Sequence, residues 1–402
     1  MKPKQIIYPL HYIKPWFAKD PDRLERKFIS SLSQRIDPEC HYLALGRARS
    51  GIYLMSKLFI DKNRKKVILS PYTIPDVVNM IRFAGGIPVF VDCLPKSTNI
   101  DLQQLESLID EQTASVMITH YHVNQNQYGE IIELCNRKEI GLFEDCAISA
   151  GGTIQDKTVG YRSAGGIFSH SSFKFLNFFW GGVLFTKDPD YSKRIGEEAH
   201  KWKRLTQKQY RGQILRTLKY DLATRPLLFK YITASIIRRK LKRSNQDPSL
   251  KPVRVESTSM DNTLTTRPAA AAFAEWNRKI DDLHKHLRHR RKIAGIYQER
   301  LKPFMVSSET SDSISAGSCF VNYPVYVGKN KRHQIYKELF LAGIDTSLSL
   351  YPNVHKHPEF EQIAGYSDKI SDLVDSVITL PTHPRISKDD ALEIVEKIKP
   401  YL

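Results

Sequence analysis

Between about residues 40 and 190, short apolar runs alternate with segments of helical periodicity. Four of the apolar runs predict buried strands: KKVILSP, GIPVFVDC, ASVMITHYH and IGLFEDCA. The segments between them carry apolar residues three and four positions apart, which is typical of amphipathic helices: IPDVVNMIRFAG, DLQQLESLID and YGEIIELCNRKE. Strands that alternate with helices of this length predict βαβ units and a mostly parallel sheet with helices on both faces.

After this region the pattern changes to basic, helical sequence with one apolar stretch, PLLFKYITASII, and then a polar, proline-containing linker. The following PAAAAFAEWNRKIDDLHKHLRHRRKIAGIYQERL predicts one long helix, or two helices with a slight break. A strand, FVNYPVYV, and two helices, RHQIYKELFLAG and SKDDALEIVEKIKPYL, predict a small α/β domain. We therefore expect a large domain over residues 1–255, which includes a basic helical insertion at 193–251. A long helix and a smaller C-terminal α/β domain then occupy 256–402.

The charge of the chain is concentrated in that insertion. The 402 residues carry a formal net charge of +18, and 41% of them are hydrophobic, enough for a sizeable core. Residues 193–251 contain 17 Lys or Arg and 4 Asp or Glu, so 17 − 4 = +13 of the charge lies there. The basicity therefore belongs to one segment and needs an explanation of its own.

The cysteines and the N-terminus indicate a reduced, cytoplasmic protein. The cysteines are scattered, without a CxxC pair or zinc-ligand spacing, so neither disulfides nor a metal site is expected: Cys40, Cys93, Cys135, Cys146 and Cys319. The N-terminal MKPKQIIYPLHYIKPWF lacks the uninterrupted apolar core of a signal peptide. No apolar run reaches the length of a membrane span.

One lysine, Lys174, lies among aromatic residues in FSHSSFKFLNFFWGGVLF, which has a Gly-Gly pair near its end. It is either a surface lysine whose stem lies on apolar groups or a chemical group, because an apolar setting lowers the pKa of an amine and makes it a nucleophile. Asp145 in FEDCA lies 29 residues earlier. Both segments fall at predicted strand ends, where open α/β sheets bind ligands.

These segments occur in an order that resembles the DegT/DnrJ/EryC1/StrS family of sugar aminotransferases. The resemblance rests on SPYTIPDVVNMIRFAGGIPVFVDC, FEDCA, FSHSSFK, the Gly-Gly pair, RHQIYKELFLAGIDTSLSLYPNVHKHPEF and DLVDSVITLPTHPRIS. It implies a pyridoxal phosphate (PLP)-dependent transferase of the aspartate aminotransferase type, fold type I. It also implies PLP as the cofactor and amino transfer from an amino acid, with glutamate expected, to a keto sugar or related carbonyl. That acceptor would be nucleotide- or lipid-linked, in cell-envelope polysaccharide or secondary-metabolite biosynthesis.

The resemblance also implies roles for individual residues. Lys174 aligns with the lysine that forms the internal aldimine and shuttles the proton, and Asp145 with the acid that keeps the pyridine nitrogen protonated. Ser169 matches a phosphate-binding serine. Asn262 in DNTLTT matches an asparagine that reaches the phosphate of the neighbouring subunit, which implies a homodimer with shared active sites. The remaining positions expected to bind the cofactor are Arg49, Ser50 and Ile74.

Several positions depart from the family pattern. In GRARSG, Arg49 replaces a threonine of the phosphate loop; it would pair with the phosphate or form a surface salt bridge. Ile74 replaces the aromatic residue that stacks on the PLP ring, so stacking would be aliphatic or come from a neighbour such as Tyr72. Ile148 and Leu264 replace polar residues of the family pattern around the cofactor and substrate. A PLP enzyme of other chemistry (elimination or dehydration) and a catalytically silent, membrane-associated scaffold therefore remain alternatives.

Amino transfer is favoured over dehydration because relatives that dehydrate carry histidine in place of the lysine, whereas this chain keeps Lys174. His170, four positions earlier, is more consistent with an ordinary strand residue. Tyr351 and His355 lie in family-like loops of the C-terminal part and are candidates for the substrate entrance or, equally, for packing. His383 in the closing motif has the same two interpretations. His122 is a further candidate for contact with the substrate.

The basic insertion has three interpretations. It could contact a membrane as a peripheral patch, with PLLFKYITASII at the interface and RRKLKR on anionic headgroups. It could bind a nucleotide or polyphosphate, or it could form a solvated helical face that covers the partner subunit. No nucleic-acid-binding module accompanies it, so nucleic acid is not an expected partner.

Overall fold

The computed structural model describes residues 17–121, 127–171, 174, 180–223, 228, 231–232, 235–236, 259–260, 262–304, 306, 317–344, 346–348, 351–366 and 368–402. Its helices are α1 (Pro21–Arg35), α2 (Arg49–Phe59), α3 (Pro75–Phe83), α4 (Leu102–Leu108), α5 (Tyr128–Arg137), α6 (Pro189–His200), α7 (Gln207–Ala223), α8 (Ala270–Lys279), α9 (Leu283–Leu301), α10 (Lys329–Leu341), α11 (Lys369–Ser376) and α12 (Lys388–Ile398). Short 3₁₀ turns occupy Ile280–Asp282, Lys302–Phe304, Val354–Lys356 and Lys399–Tyr401.

The strands are β1 (His41–Leu45), β2 (Lys66–Leu69), β3 (Ile87–Phe90), β4 (Thr113–Thr119), β5 (Gly141–Asp145), β6 (Thr153–Ile154), β7 (Lys157–Thr158), β8 (Gly166–Ser169), β9 (Gly182–Thr186), β10 (Lys203–Arg204), β11 (Thr266–Arg267), β12 (Asn322–Tyr326) and β13 (Val377–Pro381). Seven of them form the central sheet in the order β1-β9-β8-β5-β4-β2-β3. Strand β9 is antiparallel to both neighbours, and the other pairings are parallel. The prediction of a mostly parallel sheet is confirmed.

The predicted elements of the sheet lie where the hydrophobic pattern placed them. Strands β2 to β5 coincide with the four predicted apolar runs, and α3, α4 and α5 coincide with the helical segments between them. The apolar runs are nearly continuous because both faces of a parallel sheet are covered by helices. The pattern does not assign α1, β1 or β9, whose places in the fold depend on pairing and packing with distant segments.

Alternate residues of the central strands enter two different cores. Leu142 of β5 packs in a cluster with α4 and α5, whereas Phe143 packs on the other face with α2 and α3. This alternation follows from the pleat, which directs successive side chains to opposite faces. It decides that Glu144 and Asp145, although adjacent in sequence, face different sides of the sheet.

The long helical segment after the insertion joins both parts of the chain. The 3₁₀ turn at Ile280–Asp282 separates α8 from α9, as the expected slight break. Phe273 and Trp276 of α8 pack in the core of the large part, and Tyr297 of α9 packs in the C-terminal core around β12 and β13. The predicted division between residues 255 and 256 lies outside the described residues.

The described part of the basic insertion is held to the large domain at its beginning. Strand β10 pairs in parallel with β11, and the buried carboxylate of Glu25 forms ion pairs with Arg204 and Arg267 at 3.0 and 3.2 Å. Most of PLLFKYITASII lies outside the described residues. Among the residues that are described, no helix is long and apolar enough to cross a membrane.

Candidate active site

The candidate site lies at the carboxyl edge of the sheet, where β5 ends at Asp145 and its parallel neighbour β8 ends at Ser169. Lys174 follows β8 after a turn in which its backbone N–H donates to the carbonyl of Ser171 at 3.0 Å. The pKa of each of Lys174 and Asp145 is shifted by the charge of the other, so the two groups share one site. The order of the strands therefore brings together two residues that the sequence separates by 29 positions.

The environment of Lys174 favours the neutral amine. Burial lowers its pKa from 10.5 to about 8; the carboxylate of Asp145 opposes this shift, and the positive charge of Arg49 adds to it. Burial also raises the pKa of Asp145, while Lys174, the backbone N–H of Ala147 and His120 lower it. A lysine with this pKa keeps a useful fraction of nucleophilic amine near neutral pH.

Tyr351 contacts the amine directly. Lys174 Nζ donates a hydrogen bond to Tyr351 Oη at 2.9 Å. The ring of Tyr351 packs edge-on against Tyr72 and Tyr121, with centroids 5.8 and 5.5 Å apart. Burial raises the pKa of the Tyr351 hydroxyl above its usual range, so this phenol stays neutral.

The chain around Tyr351 is tied to the loop after β2. The backbone N–H of Val354 donates to the carbonyl of Pro71 at 2.9 Å, and Asn353 forms an isolated antiparallel bridge with Tyr72. Two segments nearly three hundred residues apart thus form one wall of the site. This contact explains how a residue of the C-terminal part reaches Lys174.

The N-terminus of α2 provides the candidate phosphate site. Arg49 Nη1 forms a salt bridge with Oδ1 of the buried Asp76 carboxylate at 2.7 Å. The hydroxyl of Ser50 is buried and donates to the carbonyl of Leu264 at 2.6 Å. The helix has no side-chain cap at Ala48, so its first-turn N–H groups and its dipole are the features suited to an anion. The roles of Arg49 and Ser50 in holding cofactor stay predictions.

The Gly-Gly pair allows this phosphate loop to approach the sheet. A Cβ on Gly182 would lie 2.5 Å from Cα of Ala48, and Gly181 has a φ of +105° beside the ring of Trp276. Any larger residue at Gly182 would push the loop before α2 away from β9. The pair is therefore explained by close backbone packing at the site.

The other predicted residues take different positions. Ile74 is the N-cap residue of α3 and packs partly buried between two core clusters, and Ser169 is buried at the end of β8 opposite Gly182. Asn262 is exposed in the turn before β11. His122 lies outside the described residues. The cofactor and substrate roles of these residues stay predictions.

Three histidines differ in their surroundings. His355 stacks on Tyr366 with ring centroids 3.7 Å apart, and its role at the substrate entrance stays a prediction. His170 is fully buried against the edge of Trp276, and burial lowers its pKa to about 3, so it is a neutral core residue. His383 is also buried. Ile148 and Leu264, the departures near the expected substrate, are buried as well.

A buried polar cluster behind Asp145 has no counterpart among the sequence predictions. Glu144 accepts a hydrogen bond from Tyr128 Oη at 2.6 Å, and its second oxygen lies 2.7 Å from Nε2 of His120. The sulfur of Cys146 lies 3.9 Å from the same carboxylate oxygen. The 2.7 Å contact is a hydrogen bond, since two ligands of one zinc ion at Zn–N and Zn–O distances near 2.0–2.1 Å would lie roughly 3.3 Å apart. The acidic doublet at 144–145 was the one sequence signal for it.

The residues at this edge fit PLP by their chemistry. An aldehyde requires a neutral amine, which Lys174 supplies; a pyridinium nitrogen requires a carboxylate, which Asp145 supplies; and a phosphate requires backbone N–H groups and positive charge, which the start of α2 offers. The sheet, the order of its strands and this site define a PLP-dependent transferase of fold type I.

The comparisons with known proteins identify the family. Residues 19–249 and 260–399 match the sequence profile described as the DegT/DnrJ/EryC1/StrS aminotransferase family. The chain belongs to this family and is a PLP-dependent aminotransferase, as the sequence motifs predict. The comparisons support amino transfer to a sugar-linked keto group.

The similar proteins cover nearly the whole chain at low identity. The chain is 22% identical to the GDP-perosamine synthase of Caulobacter vibrioides, over 94% of this chain and 90% of the relative. It is 24% identical to the dTDP-4-dehydro-2,3,6-trideoxy-D-glucose 4-aminotransferase of Saccharopolyspora spinosa, over 89% and 82%. Helicobacter pylori PseC, an aminotransferase involved in the biosynthesis of pseudoaminic acid, superposes with a TM-score of 0.74 at 16% identity, covering 100% of this chain and 98% of that one.

Proposed function

We propose that the protein moves an amino group from glutamate to a keto group of a nucleotide- or lipid-linked sugar, or of a related carbonyl compound. The observation that carries the proposal is Lys174, whose amine has a pKa of about 8 and is coupled to the buried carboxylate of Asp145. Nucleotide-linked sugars occur in the names of three relatives. Cell-envelope polysaccharide or secondary-metabolite biosynthesis is the proposed setting.

Lys174, Tyr351 and Asp145 have separate roles in the proposed reaction. When bound, PLP supplies an electron sink for the bond that breaks at the substrate carbon. The amine of Lys174 would accept the proton released from the substrate carbon and deliver it to the carbon that was the aldehyde of PLP, which requires an amine that is neutral at working pH. Tyr351 holds Nζ at 2.9 Å and limits the directions in which the amine can point. Asp145 keeps the proton on the ring nitrogen.

Two residues that differ from the family pattern, Ile148 and Leu264, support a proposal that includes more than one class of acceptor sugar. Ile148 and Leu264 are buried apolar residues where the family pattern has polar ones. An acceptor that depends on those polar contacts would bind poorly here, because its polar groups would lose hydrogen bonds with water without replacement. A lipid-linked or otherwise less anionic acceptor therefore stays within the proposal.

We also propose a homodimer with shared sites. Asn262 is exposed in the single chain and lies two residues before Leu264, whose carbonyl accepts a hydrogen bond from Ser50 at the start of α2. The turn that carries Asn262 is thus fastened next to the candidate phosphate site. An exposed amide at this place is suited to a phosphate held by the neighbouring subunit.

We propose a cytoplasmic enzyme whose segment 193–251 contacts the inner face of a membrane. Apolar side chains are exposed among basic ones in its described part, at Leu215, Leu222, Leu228, Tyr231, Ile232 and Ile236. Exposed apolar groups among lysines and arginines suit an interface with anionic headgroups. A face that covers the partner subunit is the competing interpretation.

The experiment that tests the function follows the absorption of bound PLP. We expect purified protein with PLP to show a visible band that glutamate bleaches while 2-oxoglutarate appears in equal amount. Lys174→Ala should bind PLP without this band and produce no 2-oxoglutarate. A wild-type band that no amino acid bleaches, glutamine and aspartate included, would contradict amino transfer and favour the other PLP chemistries.

A further inference from the structure

The main chain at Asp145 is bound by His120, which also contacts the side chain of Glu144 on the other face of the sheet. Strands β4 and β5 run in parallel with Ile118 opposite Glu144 and Thr119 opposite Asp145. His120 follows directly, and its backbone N–H donates to the carbonyl of Asp145 at 3.0 Å. The same residue therefore binds the main chain of Asp145 and, through its ring, the side chain of Glu144.

This support lies on the face of the sheet opposite the Asp145 carboxylate. Glu144 and Asp145 are successive residues of β5, so their side chains leave opposite faces. Glu144 faces α5, from which Tyr128 donates to it at 2.6 Å. The side chains of His120 and Glu144 are completely buried. Because they lie on the face of the sheet opposite the Asp145 carboxylate, they fix the position of that carboxylate through β5.

A buried carboxylate is stable only when its oxygens are satisfied, which makes this arrangement geometrically strict. One oxygen of Glu144 takes the Tyr128 hydroxyl and the other takes the His120 ring, at 2.6 and 2.7 Å. A rotation of β5 that moved Asp145 would break both bonds. The hydrogen bonds of Glu144 to Tyr128 and His120 thus oppose a rotation of β5 that would turn the Asp145 carboxylate away from Lys174.

We propose that His120 and Glu144 are positioning residues that fix the end of β5 and so hold the Asp145 carboxylate toward the ring nitrogen of the cofactor. The inference rests on the role proposed above for Asp145. His120 also lowers the pKa of Asp145, in the same direction as Lys174.

A double-mutant cycle that combines Asp145→Ala with His120→Phe tests the inference through the affinity for a cofactor form, so no catalytic activity is needed. The probe is pyridoxamine 5′-phosphate, which carries an amine and cannot link to Lys174, and its dissociation constant is measured by equilibrium dialysis. We expect Asp145→Ala to weaken binding about 100-fold and His120→Phe about 10-fold. In the Asp145→Ala background, His120→Phe should have an effect of less than about twofold, because a positioning residue acts only through the group it positions.

Matched variants separate positioning from simple loss of stability. Tyr128→Phe and Tyr297→Phe each remove one buried tyrosine hydroxyl; that of Tyr297 donates to Pro381 at 3.0 Å in the C-terminal core. Both should lower the unfolding midpoint by a similar amount, and only Tyr128→Phe should weaken binding of the probe. His120→Gln, whose amide can donate to Glu144, should recover most of the affinity. Glu144→Gln replaces His120→Phe in the cycle if the latter does not fold.

Three results would overturn the inference, and each is distinguishable. Unchanged affinity of the His120→Phe and Glu144→Gln variants would show that β5 holds Asp145 without them. An equal loss with and without the Asp145 side chain would show that they act elsewhere. Unchanged affinity of Asp145→Ala would refute the role proposed for Asp145 itself. If glutamate fails to react in the wild type but the cycle shows coupling, the proposed function fails and this inference stands.

Discussion

Lys174 Nζ and Tyr351 Oη lie 2.9 Å apart, in a hydrogen bond that joins the turn after β8 to the C-terminal part of the chain. The two residues are separated by 177 positions. Their contact depends on the fastening of Val354 to Pro71 and of Asn353 to Tyr72. The amine of Lys174 is thus oriented by a segment whose own position is fixed by the loop after β2.

The pKa of Lys174 should govern the uptake of PLP by the apoprotein. The neutral amine attacks the aldehyde, so the rate constant should rise with pH and reach half of its plateau near pH 8, not near the 10.5 of an ordinary lysine. Stopped-flow absorption of PLP across pH 6–10, an experimental range of about four units around that value, gives the midpoint.

Two variants should move this midpoint in opposite directions. Tyr351→Phe removes an acceptor that favours the ammonium form, so the pKa of Lys174 should fall and the midpoint move below 8. Arg49→Gln removes a nearby positive charge, so the pKa and the midpoint should rise. A wild-type midpoint above pH 10, or shifts of the reverse sign, would contradict this account of the site.

Asp92 should be important for stability, because it caps a helix of the C-terminal part. Its buried carboxylate, just after β3, accepts from the backbone N–H groups of Lys369 and Ile370 at 2.6 and 3.0 Å, at the start of α11. We expect Asp92→Ala to lower the free energy of unfolding by about 2–4 kcal/mol, since two buried donors lose their acceptor. Urea unfolding followed by circular dichroism measures the change.

Asp101 is the matched control for Asp92. Its side chain accepts from the N–H of Gln104 at the start of α4 and pairs with Lys369 at 2.7 Å in a more exposed setting. Asp101→Ala should cost about 1 kcal/mol. If the two alanine variants lose equal stability, the tertiary cap at Asp92 contributes no more than a local one.

Complementation between two inactive variants should detect shared sites. In a mixed dimer of Lys174→Ala and Asn262→Ala subunits, one site carries both defects and the other carries neither if Asn262 acts on the neighbouring subunit. Random exchange of subunits should therefore restore about a quarter of the wild-type rate of 2-oxoglutarate formation. No recovery, with mixed dimers verified by mass spectrometry, would show that Asn262 acts in its own subunit, and an active Asn262→Ala variant would place it outside the site.

The basic insertion should bind anionic vesicles. We expect the protein to float with vesicles of phosphatidylglycerol and phosphatidylcholine, and not with pure phosphatidylcholine, and we expect salt to weaken the binding because it screens the lysines and arginines. Replacing the exposed Tyr231, Ile232 and Ile236 by serine should reduce flotation several-fold at unchanged net charge. A triple variant that floats normally but forms weaker dimers would instead support a face that covers the partner subunit.

Local sequence determined the parts of this protein that depend on neighbours along the chain. The alternation of apolar runs and amphipathic segments placed β2 to β5 and α3 to α5, because burial on both faces of a parallel sheet imposes that pattern. The ordered motifs around Asp145 and Lys174 identified the family, the fold, the cofactor and the class of enzyme, which the comparisons confirm. The aromatic surroundings of Lys174 already indicated an amine of lowered pKa.

The tertiary structure decided what depends on distant segments. It paired the Arg49 guanidinium with Asp76 and the Ser50 hydroxyl with the carbonyl of Leu264. It also packed His170 against Trp276 and stacked His355 on Tyr366. It brought Tyr351 to Lys174 and placed His120 and Glu144 behind Asp145. No local pattern encodes these contacts, because a side chain's partner is chosen by the folding of segments tens to hundreds of residues apart, whereas periodicity records only which face of an element is buried.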